Sequence, residues 1–115
     1  MREIKAEQIT QTVRDLCIEA NCHLPEDIRG AIADCKACES FDIAKNILDK
    51  IEENYQIADI DEVPICQDTG LACVFLEIGQ EVHIDGNLKD AVDEGVRQGY
   101  TEGFLRKSCV KDPID

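Results

Sequence analysis

The hydrophobic period of this chain changes at one short motif, and that change constrains its fold more than any other feature. Up to about residue 62, apolar side chains recur at three- and four-residue intervals, the spacing of one face of an α-helix. Beyond the motif, Ala72-Cys73-Val74-Phe75-Leu76-Glu77-Ile78 is largely apolar on both faces, as an interior strand would be. Pro64-Ile65-Cys66-Gln67-Asp68-Thr69-Gly70, between the two regimes, follows neither period. This pattern predicts a mainly helical α+β domain over residues 1–115, with a helical part (1–62) and a part holding the motif loop, a short β-hairpin and a further helix (63–115).

The spacing of Ile9, Val13, Leu16, Cys17 and Ala20 predicts an amphipathic helix over 6–21. Pro25 opens a second helix, with Glu26 and Asp27 favourably placed against its dipole and Ile28, Ile32 and Cys35 on one face. Ser40 is the expected cap of a third helix carrying Ile43, Ile47, Leu48 and Ile51, with Lys45, Asp49, Lys50 and Glu53 on its solvated side. After the strand at 72–78, Gly79-Gln80 makes a two-residue turn and 81–84 returns as the second arm of the hairpin. Asn87 then caps a fourth helix whose Leu88, Ala91, Val92 and Val96 face inward. Gly95, Gly99 and Gly103 fall four apart along it. Each costs a helix about 1 kcal/mol relative to alanine, so the stripe predicts a close neighbour there, another helix or a partner domain.

A formal charge of −13 argues against nucleic-acid backbones and anionic membranes, which need a basic face. No apolar run is long enough to span a bilayer, and Met1-Arg2-Glu3-Ile4-Lys5 leads into a polar segment without a signal-peptide pattern. Seven cysteines, an odd number scattered over helical positions, fit reduced thiols in a cytoplasm better than a disulfide framework.

The motif loop sets a thiol, an amide, a carboxylate and a hydroxyl side by side in a backbone stiffened by Pro64 and freed at Gly70. Cys66 can serve as a thiolate ligand to an iron–sulfur cluster or as a small buried residue at a strand start, and the residues alone leave both open. Gln67 and Asp68 can hydrogen-bond a substrate hydroxyl and carboxylate, while Asp68-Thr69-Gly70 is equally an Asx-type turn that shapes the loop; Thr69 reads as structural. Arg106 presents a planar fork matched to a carboxylate, or a surface base near a helix C-terminus, with Lys107 as surface. Cys17, Cys22, Cys35 and Cys38 follow C-x4-C-x12-C-x2-C, a spacing superficially like that of a metal site. Cys17 and Cys35, however, fall on expected core stripes, and no turn-rich knuckle surrounds the four. Cys73 and Cys109 read as packing, and His23 and His83 as isolated surface or loop residues.

PICQDTG followed by LACVFLEIG resembles the signature of class I, iron–sulfur-dependent fumarate hydratases and their tartrate dehydratase relatives. The likeness continues through Gly86-Asn87, Glu94-Gly95-Val96, Gly99-Tyr100 and Leu105-Arg106-Lys107-Ser108. This resemblance implies a hydro-lyase that reversibly adds or removes water on a dicarboxylate, fumarate/malate or tartrate. It implies Cys66 as one of three cysteine ligands of a [4Fe–4S] cluster, the other two lying downstream of the LRKS stretch. It implies that Gln67 and Asp68 line the substrate pocket, with Asp68 catalytic, and that Arg106 clamps a substrate carboxylate. The family's alpha subunit is longer than this chain, which therefore reads as its N-terminal portion, a truncated piece or a separately encoded domain. The implied partners are the remainder of the alpha subunit and a beta subunit or domain supplying the base, in an oligomer, so the chain alone is expected to be inactive. The alternative is a non-enzymatic helical module that binds metal or senses redox state through its cysteines.

Overall fold

The computed structural model describes residues 1–66 and 71–106. Its elements are β1 (Arg2–Lys5), α1 (Ala6–Cys22), α2 (Glu26–Cys38), α3 (Asp42–Asp61), β2 (Val82–Asp85) and α4 (Leu88–Glu102). The architecture is mainly helical α+β, as the change of period predicts. The chain divides into two compact units, residues 1–19 with 68–115 and residues 20–67.

In the first unit the strand pairing differs from the expected hairpin. β2 pairs in parallel with β1, in the register Arg2↔Val82 to Lys5↔Asp85. The turn at Gly79 does form, with the Gly79 carbonyl accepting the Val82 N–H at 3.2 Å, but residues 71–79 carry no strand assignment and are exposed, Phe75 at 93 %. Apolar periodicity marks a segment able to form a strand; it carries no information about which other segment completes the ladder. The four-residue β1 holds one apolar side chain, Ile4, and is too short to show a period.

α1 begins directly after β1, and the Gln8 side chain accepts the Lys5 N–H at 3.0 Å, the returning half of a capping box. Asn87 caps α4 as predicted, its Oδ1 accepting the Asp90 N–H at 3.0 Å. Ala91, Gly95 and Gly99 are buried, and the Thr10 hydroxyl of α1 donates to the Ala91 carbonyl at 2.9 Å. A Cβ built on Gly95 would stand 2.7 Å from both the Thr10 carbonyl oxygen and the Val13 Cβ; one on Gly99 would stand 2.8 Å from the Cys17 Cβ. The close neighbour of the glycine stripe is therefore α1 of the same chain. Val13, Ala91 and Leu105 complete the core of this unit.

The second unit is built on α3, whose Tyr55 and Ala58 are buried together with Cys22. Ser40 is not the cap of α3. Phe41 occupies that position without a side-chain bond, and the Glu39 carboxylate accepts the Ser40 and Phe41 N–H groups at 3.0 and 3.1 Å. Lys36 of α2 reaches Asp49 and Glu52 of α3 at 2.7 and 3.3 Å. No residue of α2 is buried, so Cys35 is exposed rather than in a core, and Ile43 and Ile47 of α3 are exposed as well. An amphipathic stripe specifies which face can be covered; burial also requires a second layer to cover it. Among the described residues, no helix is long and apolar enough to cross a membrane.

Candidate functional site

α3 ends at Glu62, which adopts the left-handed conformation (φ 52°) and returns its N–H to the Ala58 carbonyl. Pro64 lacks an N–H and disfavours helix at the residue before it, so α3 does not continue through this point. The Ile65 N–H donates to the Asn21 carbonyl at 2.7 Å, satisfying a main-chain oxygen in the last turn of α1. The Cys66 N–H donates to the Asn54 Oδ1 on α3 at 2.9 Å. These bonds hold the backbone of Cys66 while its side chain stays exposed. Cys66 borders a groove of about 640 Å³ along α3, lined chiefly by Leu24, Ile43, Ile47, Ile51, Tyr55 and Ile65.

Gln67, Asp68 and Thr69 lie outside the described residues, as do Lys107 and Cys109. Arg106 belongs to the first unit and is exposed, following the buried Leu105; Cys66 belongs to the second.

The remaining thiols divide by environment. Cys38 and Cys73 are exposed like Cys35, so Cys73 is not the packing residue its place in an apolar run suggests. Cys17 is half-buried and Cys22 buried. Burial pushes both of these thiols up, assisted at Cys22 by the Glu62 carboxylate, which disfavours the thiolate a metal requires. Among the described residues, no three His, Cys, Asp or Glu side chains gather closely enough to hold a metal ion.

His23 is not isolated. Its Nδ1 lies 2.5 Å from the Asp59 Oδ1, the Arg29 Nη2 approaches the same oxygen at 3.1 Å, and Arg29 sits over the Tyr55 ring at 5.2 Å. The hydrogen bond from His23 holds the Asp59 carboxyl below its ordinary value; partial burial opposes this, and Arg29 adds to it. His23 and Asp59 share no sequence periodicity, so only their packing joins them.

Comparison with known proteins places this sequence in a family. The sequence model described as Fumarate hydratase (Fumerase) matches residues 10–115. The chain belongs to the fumarate hydratase family. Among its relatives, a Methanocaldococcus jannaschii protein bearing the name L(+)-tartrate dehydratase subunit alpha is 39% identical over 105 residues, covering 90% of this chain and 37% of the relative. A Geobacillus stearothermophilus protein bearing the name fumarate hydratase class I is 30% identical, over 90% of this chain and 20% of its own length. The L(+)-tartrate dehydratase subunit alpha of Escherichia coli is 24% identical, over 90% and 34%. This fumarate hydratase family chain thus spans about a third or less of the length of these curated relatives. An iron–sulfur ligand needs a thiol that reaches metal from a fixed backbone, and Cys66, exposed on a doubly tethered main chain, fits that requirement as a single donor.

Proposed function

We propose that this fumarate hydratase family chain supplies one cluster ligand and the substrate contacts of an iron–sulfur hydro-lyase acting on a dicarboxylate, fumarate/malate or tartrate. The observation that carries the reading is the exposed Cys66 thiol on a backbone held by Asn54 and the Asn21 carbonyl. Cys66 would hold one corner of a [4Fe–4S] cluster, and the other thiolates would come from polypeptide corresponding to the rest of the alpha subunit. When bound, such a cluster with one iron free of cysteine supplies a Lewis acid for the substrate carboxylate and hydroxyl.

The chain's own residues bind and orient. The Gln67 amide hydrogen-bonds the substrate, and an Asp68 carboxylate oxygen exchanges a proton with its hydroxyl. The Arg106 guanidinium grips a substrate carboxylate in a two-pronged bond, supplying local positive charge in a chain whose net charge is −13. The base at the adjacent carbon would come from a beta subunit or domain, in a cytoplasmic oligomer, so activity requires those partners.

The test is the visible absorbance of the iron–sulfur cluster in the assembled enzyme. Cys66→Ser is expected to abolish cluster absorbance and hydration, whereas Cys35→Ser and Cys38→Ser retain both. An intact cluster in Cys66→Ser refutes the assignment. Metal loss in Cys35→Ser or Cys38→Ser would instead favour the metal- or redox-binding module.

A further inference from the structure

Asn54 stands well inside α3, between Asp42 and Asp61. Asparagine is a poor helix former because its amide competes for main-chain partners. Here that amide sits among the groove-lining side chains and accepts a hydrogen bond from a residue outside the helix, the Cys66 N–H, at 2.9 Å. The neighbouring main-chain donors explain why a side chain does this. Pro64 has no N–H. The Ile65 N–H is taken by the Asn21 carbonyl at 2.7 Å, leaving the Cys66 N–H to Asn54.

The consequence is geometric. The Cys66 Sγ is joined to the tethered nitrogen only through Cα and Cβ. With the Ile65 and Cys66 nitrogens both bonded, the peptide plane that carries the Cys66 nitrogen is held, and the thiol moves relative to it by rotation about N–Cα and Cα–Cβ. The thiol can then be offered to metal with less backbone to order at the moment of binding, and ordering backbone costs conformational entropy. Partners one step removed from a metal orient its ligands in this way.

Resting on the reading of Cys66 as a cluster ligand, we propose that Asn54 is a positioning residue that sets the approach of the Cys66 thiol through the Cys66 N–H···Oδ1 bond.

The test reads that bond directly, by amide hydrogen exchange at Cys66 in the 115-residue chain. Asn54→Ala is expected to speed exchange there about five- to tenfold. Asn54→Asp, which keeps an acceptor oxygen, should restore protection, and Asn46→Ala, altering a neighbouring groove residue, should leave it unchanged. Protection at the Ala58 amide reports that α3 remains intact. If Asn54→Ala melts α3, Asn54→Leu, similar in size but without an acceptor, supplies the reading instead. In the assembled enzyme, the acceptor-less variant should weaken cluster retention about 10- to 100-fold, read as loss of visible absorbance on chelator challenge. Unchanged exchange at Cys66 without the acceptor overturns the proposal, as does altered exchange with undiminished cluster retention. A cluster retained in Cys66→Ser would overturn the ligand assignment itself, an outcome distinct from either of these.

Discussion

Gly95 of α4 lies so close to the main chain of Thr10 in α1 that a Cβ built on it would stand 2.7 Å from the Thr10 carbonyl oxygen. Backbone cannot swing aside as a flexible side chain can, so the helix–helix distance depends on the missing methyl. Helix propensity alone favours alanine by about 1 kcal/mol, but overpacking costs about 1–3 kcal/mol. Gly95→Ala is therefore expected to destabilise the fold. Gly30→Ala in α2, where an added Cβ meets nothing within 4 Å, should stabilise it by about 0.5–1 kcal/mol. Urea midpoints at common slope check both; a higher midpoint for Gly95→Ala would contradict the close approach.

Asp59 links folding to pH. Its carboxyl is held below its ordinary value in the folded chain, first by the His23 hydrogen bond and then by Arg29, with burial opposing. A lowered folded value favours the native state above the unfolded value, and that advantage fades as pH falls through the folded one. Asp59→Asn should therefore be less stable than the parent near neutrality, with the gap closing under acid conditions below about pH 4. Parallel thermal melts across that range measure it; a gap that widens in acid would reverse the sign.

Asn87→Ala removes the oxygen that accepts the Asp90 N–H, and should lower stability by about 1 kcal/mol, while Asn87→Asp retains most of the cap. Chemical denaturation of the two variants separates capping from any other role of the position.

Arg106→Lys tests the proposed carboxylate clamp in the complete enzyme. Charge survives the change but the fork does not, so kcat/KM for the dicarboxylate should fall about tenfold. An unchanged value would return Arg106 to an ordinary surface charge.

Helix positions were legible because each rests on local chemistry. The spacing from Ile9 to Ala20 predicts 6–21, and α1 is Ala6–Cys22; Pro25 stands immediately before α2, and Asn87 caps α4. Ser40 misled because Phe41 leads into α3 and the Glu39 carboxylate meets the nearby amides instead. The resemblance carried by PICQDTG and LRKS agrees with the family match over 10–115.

What the sequence by itself determined is the helical character, the helix starts near Pro25 and Asn87, and the family, because propensity, capping and motif are properties of neighbouring residues. Pairings between distant residues were decided only in three dimensions. β1 takes the place of the expected hairpin arm, α1 fills the glycine stripe, His23 finds Asp59, and Asn54 tethers Cys66. Such partners are chosen by complementary shape and unsatisfied hydrogen bonds across the folded chain, and no local period records them.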